Sequence, residues 1–137
     1  MNLVSSSLCE RCDLEREQTP RHMLYECSNI KVTYKWFLRV LMLVCNFRPT
    51  SNIKLLYFDN IFENVQQKNV CNMLIASYIF CVWRPRKENL RIGILKKIIC
   101  KKILSLVDSL IKSPGYPLQK FGGDYISKID LNGLLNA

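Results

Sequence analysis

Residues 9 to 27 read CERCDLEREQTPRHMLYEC, and the cysteines and histidine within them decide how the chain is interpreted. Cys9, Cys12, His22 and Cys27 follow the pattern C-x2-C-x9-H-x4-C. Zinc in closed structural sites takes four tetrahedral ligands, usually thiolates and imidazoles. The loop of a CxxC segment is short enough to present both thiolates to one metal. The pattern therefore predicts a structural zinc site with three thiolates and one imidazole.

Two other interpretations of these residues stay open. A CxxC pair is also found at redox sites, and cysteines are often buried as small apolar residues. A redox pair does not require the only histidine of the chain to lie five residues before another cysteine, as His22 does. Catalytic zinc keeps one coordination position for water, which a four-ligand set does not provide. Structural zinc remains the favoured interpretation.

The length and the cysteine count indicate one modest intracellular domain. The chain has 137 residues and seven cysteines. Residues 1 to 8, MNLVSSSL, lack the charged and apolar regions of a signal peptide. We therefore expect a reducing compartment, the nucleus or the cytoplasm, in which cysteines serve as ligands or core residues.

The positive charge follows the zinc segment. Residues 1 to 30 contain three basic and five acidic side chains, whereas residues 31 to 112 contain fifteen basic and four acidic ones. The last part of the chain is balanced, and the net charge is +9. A localised basic field attracts polyanions, most often nucleic acid, although a lysine-rich solvated surface would have the same composition.

The apolar pattern predicts a mainly α fold. Apolar residues recur at steps of three and four from Ile30 to Val44 and from Ile92 to Leu110, which is the spacing of one helix face. Residues 62 to 88 predict a long helix between them, and its segment 70–83 is apolar on nearly every side. That segment is too short to cross a bilayer, which needs about twenty apolar residues, so we expect a central core helix and no membrane partner.

These patterns divide the chain into three parts. Residues 1–29 are expected to form the zinc knuckle, with a short helix that begins at Thr19-Pro20, because Thr can cap a helix and Pro suits its first position. Residues 30–112 are expected to form a bundle of about three helices, with Pro49 ending the first. Residues 50 to 62 are consistent with a strand or a helical turn. Residues 113–137 are predicted to be a loosely ordered tail.

The densest basic stretch is the candidate nucleic-acid surface. It lies at the end of the central helix and along the next one, and Glu88 is its only acidic residue. The candidate phosphate contacts are Arg84, Arg86, Lys87, Arg91, Lys96, Lys97, Lys101 and Lys102. A basic amphipathic helix also suits a membrane surface or an acidic protein partner. No base-reading motif is visible, so we expect little sequence specificity.

The segment around the ligands resembles a known family. Leu8-Cys9-Glu10-Arg11-Cys12 and the run from Glu17 to Cys27, EQTPRHMLYEC, resemble the zinc-binding domain at the C-terminal end of non-LTR retrotransposon reverse transcriptases. Trp36 lies where that family has a tryptophan early in the following helix, and residues 79–86, IFCVWRPR, resemble its later Trp/Arg segment. Gln18 separates Glu17 from Thr19, so the usual Glu-Thr pair of the family is interrupted.

The resemblance implies a zinc-binding, nucleic-acid-binding piece of a larger enzyme. The resemblance implies that Cys9, Cys12, His22 and Cys27 are the zinc ligands. It also implies RNA or DNA as a partner and a reverse transcriptase core as another. The polymerase and endonuclease of that family lie upstream, so the implied fragment has no polymerase activity of its own.

Three alternatives to a nucleic-acid-binding fragment stay open. The chain could be an all-α interaction module that docks through its basic helix, or a remnant of an element without a function. An enzyme is the least favoured alternative, because the sequence contains no paired carboxylates, nucleophile elbow or glycine-rich phosphate loop.

The zinc site makes a direct prediction. The wild-type chain is expected to contain one zinc ion, and Cys12→Ser is expected to lose both the metal and the fold of the knuckle, because metal binding contributes folding free energy on the order of 10 kcal/mol. Metal analysis and circular dichroism of both proteins measure this. Zinc-free, folded wild-type protein would contradict the prediction.

Overall fold

The computed structural model describes residues 19–85, 91–112 and 118–137. Within these ranges the chain is mainly helical and contains no strand, which confirms the predicted fold class at that level. Cys9 and Cys12 of the predicted knuckle lie outside the described residues. Seven helical elements follow in order: α1 His22–Glu26, α2 Lys31–Cys45, α3 Asn52–Leu56, α4 Val65–Trp83, α5 Ile92–Lys112, α6 Leu118–Ile126 and α7 Leu131–Leu135.

The three long helices arise from the predicted apolar stretches. They are α2, α4 and α5, with 15, 19 and 21 residues. α4 lies at the centre and packs against α1, α2, α3, α5 and α6. Its residues are buried on several sides, from Val70 to Val82, as expected for a core helix. Within the described ranges, none of the helices has the length and apolarity needed to span a bilayer.

Local signals explain where the helices begin and end. The Asn64 side chain accepts a hydrogen bond from the Gln67 N–H (2.7 Å) and so caps α4, which therefore begins at Val65 and not at Phe62 as predicted. α2 ends at Cys45, before the predicted Pro49, because Asn46 adopts the left-handed conformation (φ 51°) and donates its N–H to the Met42 carbonyl. Residues 52–56, for which a strand stayed possible, form the short helix α3.

A buried glutamine joins the beginning of α4 to the end of α2. Gln67 is 2% exposed, and its side-chain amide donates to the Cys45 carbonyl at 3.0 Å. Its side-chain oxygen accepts from the Glu63 N–H at 2.8 Å. A buried polar side chain is stable only when its hydrogen bonds are made, and Gln67 makes them to two parts of the backbone.

The C-terminal residues are packed, in contrast to the predicted loose tail. α6 lies along α4, and α7 packs against α5. Leu134 of α7 is fully buried, and its carbonyl accepts a hydrogen bond from the indole N–H of Trp36 at 2.8 Å. Apolar residues in two short helices have no extended periodicity, so the sequence pattern predicts a tail and not these helices.

Gly122 allows α6 to lie close to α4. A Cβ atom at this position would overlap the Val70 Cγ2 atom and would lie 3.1 Å from the Gln66 carbonyl oxygen. The backbone there is also non-helical, with φ 159° and ψ 47°. The close contact between these two helices therefore depends on the missing side chain.

Gly122→Ala is expected to lower the free energy of unfolding by about 1–3 kcal/mol, because the added methyl group overfills a packed helix contact. Gly93→Ala is the matched control. Among the described residues, nothing beyond the neighbouring residues and the backbone of α5 itself lies within 4 Å of a Cβ built on Gly93, so alanine there should stabilise α5 by about 0.5–1 kcal/mol. Urea unfolding of the two variants measures the difference. Equal stabilities would show that α6 does not need this close approach.

Candidate nucleic-acid interface

Two of the predicted phosphate contacts come together on an exposed aromatic ring. The Phe80 side chain is 48% exposed near the end of α4. The Arg84 guanidinium carbon lies 5.6 Å from the centre of its ring, and the Lys102 Nζ atom of α5 lies 4.9 Å from it. Both distances are those of cation–π contacts. A ring with two cations is a surface to which both a base and a phosphate can bind.

The helix geometry explains this arrangement. Phe80 and Arg84 are four residues apart, so they lie on the same face of α4 and its C-terminal end. α5 packs beside α4, with the Cys81 Sγ atom 4.0 Å from the Ile98 carbonyl oxygen, and this contact brings Lys102 to the Phe80 ring. Burial raises the pKa of the Cys81 thiol, against the effect of the Lys102 charge, so Cys81 remains a protonated core residue.

The other predicted basic residues are distributed differently. Arg91, Lys97 and Lys101 are exposed to solvent. Lys96 is half-buried, and its Nζ atom lies 5.5 Å from the Trp36 ring centre, so it is on another side of α5 from Lys102. Arg86 and Lys87 lie outside the described residues. The six described residues of the basic stretch thus do not form one patch around a single point.

An aromatic groove adjoins the Phe80 cluster, and the sequence pattern did not predict it. One cavity of about 550 Å³ is lined by Phe58, Ala76, Ile79, Phe80, Trp83 and Arg84. A second cavity of about 430 Å³ shares three of these residues and extends between α1 and α3. It is lined by Pro20, Arg21, Leu24, Tyr25, Ile53, Leu56, Tyr57, Phe58, Ile79 and Trp83. We call the two cavities together the aromatic groove.

The Tyr57-Phe58 pair contributes two exposed rings to this groove. Their exposed fractions are 70% and 46%. Phe58 has φ 60°, a left-handed conformation that is unfavourable for a bulky residue. In the sequence this pair belongs to residues 57–60, which superficially resemble a polymerase metal motif with two aspartates, but Asp59 is the only carboxylate there and no catalytic role is inferred. A pair of aromatic residues directly after a short helix was the signal that could have indicated an exposed surface.

The two described residues of the predicted zinc set lie at the ends of α1. This element is a single π-helical turn, and the Cys27 N–H donates to the His22 carbonyl at 2.7 Å. Residues five apart would be about 140° apart around an α-helix, whereas the π turn closes this spacing into one hydrogen-bonded ring. His22 is 5% exposed and Cys27 is fully buried. An imidazole and a thiol at the two ends of one turn are suitable donors for zinc.

The described part of the chain does not by itself contain a group of three potential metal ligands. The remaining donors of the predicted set, Cys9 and Cys12, lie outside it. Thr19 caps this segment as predicted, because its side-chain oxygen accepts from the His22 N–H at 3.1 Å.

A buried tyrosine holds the π turn against the central helix. The Tyr78 hydroxyl of α4 donates to the Leu24 carbonyl at 2.6 Å. The Tyr78 ring stacks on Phe37 of α2, with the centres 4.5 Å apart. α1 is therefore attached to α4 at the point where α4 packs on α2, and this contact also positions the Tyr25 end of the aromatic groove.

Comparisons with known proteins do not assign the chain to a family: no family model, no curated protein and no solved structure matches it. The candidate interface therefore depends on the geometry given above.

Tyr78→Phe is expected to lower the free energy of unfolding by about 1–3 kcal/mol, because it retains the ring but removes the donor to a buried carbonyl. Tyr125→Phe is the control. The Tyr125 hydroxyl accepts an exposed hydrogen bond from Asn64, at 3.2 Å, and its loss should change stability by less than about 0.5 kcal/mol. Thermal and urea unfolding measure both. A neutral Tyr78→Phe would mean that α1 is held mainly by its apolar contacts.

Proposed function

We propose that the chain is a zinc-containing, nucleic-acid-binding module with little sequence specificity and no polymerase activity of its own. The observation that carries this proposal is the convergence of Arg84 and Lys102 on the exposed Phe80 ring. Cations fix the phosphate backbone, and an aromatic face stacks on any base, so such a cluster binds nucleic acid without reading its sequence.

The net charge of +9 and the exposed cations of α5 are consistent with this function. Lys97 and Lys101 extend the positive field beyond the Phe80 cluster. Each phosphate that is neutralised releases counterions, so the affinity would decrease steeply with salt. The partner in this proposal is the RNA or DNA backbone.

Zinc in this proposal is structural. Cys9, Cys12, His22 and Cys27 would hold it, and the metal would fix the segment before α2. The support is the ligand spacing and the π turn that places His22 and Cys27 at its two ends. Cys100→Ala is a control for the Cys12→Ser measurement, because Cys100 is buried in α5 and its pKa is raised to about 11 by burial. The Cys100 variant should retain its zinc.

The resemblance to the C-terminal zinc domain of non-LTR retrotransposon reverse transcriptases supports the same function. In that context a reverse transcriptase core would be a further partner. The nucleic-acid surface proposed above does not come from the family. It comes from the position of the described residues around Phe80.

A second candidate function has its own support. Ile94 and Ile98 on α5 are 46% and 38% exposed, and Lys97 and Lys101 on the same helix are exposed as well. An exposed helix face with both apolar and basic residues is suited to an acidic protein partner. The chain would then be an all-α interaction module.

Neutralising the Phe80 cluster tests the proposed function. Arg84→Gln/Lys102→Gln is expected to weaken the binding of a fluorescein-labelled single-stranded oligonucleotide about tenfold or more at low salt. The slope of log K against log salt should decrease by roughly 1.4 for two phosphate contacts on a single strand. Fluorescence anisotropy over a salt series measures both quantities.

The matched control is Lys68→Gln/Lys128→Gln, which removes the same charge. Lys68 is exposed near the beginning of α4. The Lys128 Nζ atom lies 5.6 Å from the centre of the Tyr125 ring. The Tyr125 hydroxyl accepts a hydrogen bond from Asn64, which caps α4. Lys68 and Phe80 are twelve residues apart on α4, which corresponds to about 18 Å at 1.5 Å per residue. Equal losses in both double variants would indicate only a diffuse charge effect. Binding that is retained in both would favour the interaction module.

A further inference from the structure

The aromatic groove continues from the Phe80 cluster towards α1. Its two cavities adjoin along Phe58, Ile79 and Trp83, which line both of them. Arg84 lies at one end and Arg21 at the other, and both are exposed. The groove is thus a concave apolar surface with a cation at each end. This geometry limits the kind of ligand that it can hold.

The lining of the groove is suited to flat, apolar faces next to negative charges. Tyr25, Tyr57, Phe58 and Trp83 supply rings, and the aliphatic lining, such as Ile79 and Leu56, supplies no hydrogen-bonding groups. Nucleic-acid bases present such faces only when they are unpaired, since a duplex stacks its bases inside and exposes its phosphates and groove edges. Arg21 and Arg84, one in each cavity, supply positive charge that suits the phosphates of a strand whose bases lie in the groove.

The conformation of Phe58 is consistent with a ligand contact. Its φ of 60° costs conformational energy in a bulky residue, and 46% of its side chain is exposed where the two cavities meet. Strained residues of this kind are concentrated at ligand sites. The strain at Phe58 is not compensated by full burial of the ring.

We propose that the aromatic groove binds unpaired bases of single-stranded RNA or DNA, so that the chain prefers single strands to duplexes. This inference depends on the proposed function and specifies its ligand. The charge at both ends and the aromatic lining favour this ligand over a second copy of the chain, because two copies would bring Arg21 and Arg84 of both molecules into one apolar interface.

Removing two exposed rings tests the proposal. Tyr57→Ser/Phe58→Gly removes both rings, and neither of these residues is buried. Glycine also suits the positive φ at position 58. Ile61→Ser/Val65→Ser is the control, since these side chains are 95% and 68% exposed and do not line the groove. The probes are a twelve-nucleotide oligo-uridine and an RNA duplex of the same length. Anisotropy gives the affinities, and circular dichroism monitors the fold of each variant.

The wild-type chain is expected to bind the single strand at least tenfold more tightly than the duplex. The Tyr57/Phe58 variant should lose about tenfold for the single strand and little for the duplex, because stacking is lost and the cations remain. The Ile61/Val65 variant should resemble the wild type. Oligo-uridine should also quench the fluorescence of Trp83, which lines the groove, whereas Trp36 is fully buried.

Other results would overturn the inference and can be distinguished from failure of the proposed function. The wild type could bind single strand and duplex equally, with no change in the Tyr57/Phe58 variant and weaker binding in Arg84→Gln/Lys102→Gln. This result would retain nucleic-acid binding as the function and exclude the groove as the binding site for bases. A dimer that dissociates in the Tyr57/Phe58 variant, measured by sedimentation, would assign the groove to a second copy. Quenching by an acidic helical peptide and not by oligo-uridine would assign it to a protein. No binding of either nucleic acid by the wild type would reject the function itself.

Discussion

Tyr78 connects three parts of the chain, and the position of the candidate surface depends on that connection. Its hydroxyl donates to Leu24 in the π turn, its ring stacks on Phe37 of α2, and its backbone belongs to the central helix. A buried hydroxyl needs a partner, and a buried carbonyl needs a donor, so each group satisfies the other. The π turn is thereby attached to the core and does not rely on local hydrogen bonds alone.

The orientation of Tyr78 also determines which residues of α4 reach the surface. Successive residues of a helix are about 100° apart, so Phe80 lies about 200° from Tyr78 and faces outwards when Tyr78 faces the core. Ala76 and Arg84 lie on the same side as Phe80, four residues before and after it. α5, packed on the neighbouring side, adds Lys102. The candidate interface is therefore the outer face of the helix whose inner face organises the fold.

The basic side chains are distributed in the fold differently from what their order in the sequence suggests. The basic stretch suggests one continuous patch in the sequence, but helix geometry directs its four lysines on α5 to different sides of that helix. Lys96 contacts Trp36 next to the docked α7, Lys97 and Lys101 are in solvent, and Lys102 shares an aromatic ring with Arg84. A phosphate near Phe80 would be held by two cations from separate helices, whose spacing depends on the packing of α4 against α5.

The helical class, the three long helices and the cap at Thr19 follow from the sequence, because each depends on residues that are near one another in the chain. Periodicity at steps of three and four places Tyr34, Phe37 and Leu41 on one helix face whatever the partner is. The spacing of the predicted zinc ligands also follows from the sequence. The π turn, the docking of α6 and α7 and the aromatic groove do not follow from the sequence pattern and are visible only in the folded chain. Each of these depends on contacts between residues that are distant in the sequence: Tyr78 with Leu24, Trp36 with Leu134, and Gly122 with Val70. Such contacts are set by shape and by the burial of hydrogen-bonding groups, for which a pattern of apolar residues contains no signal.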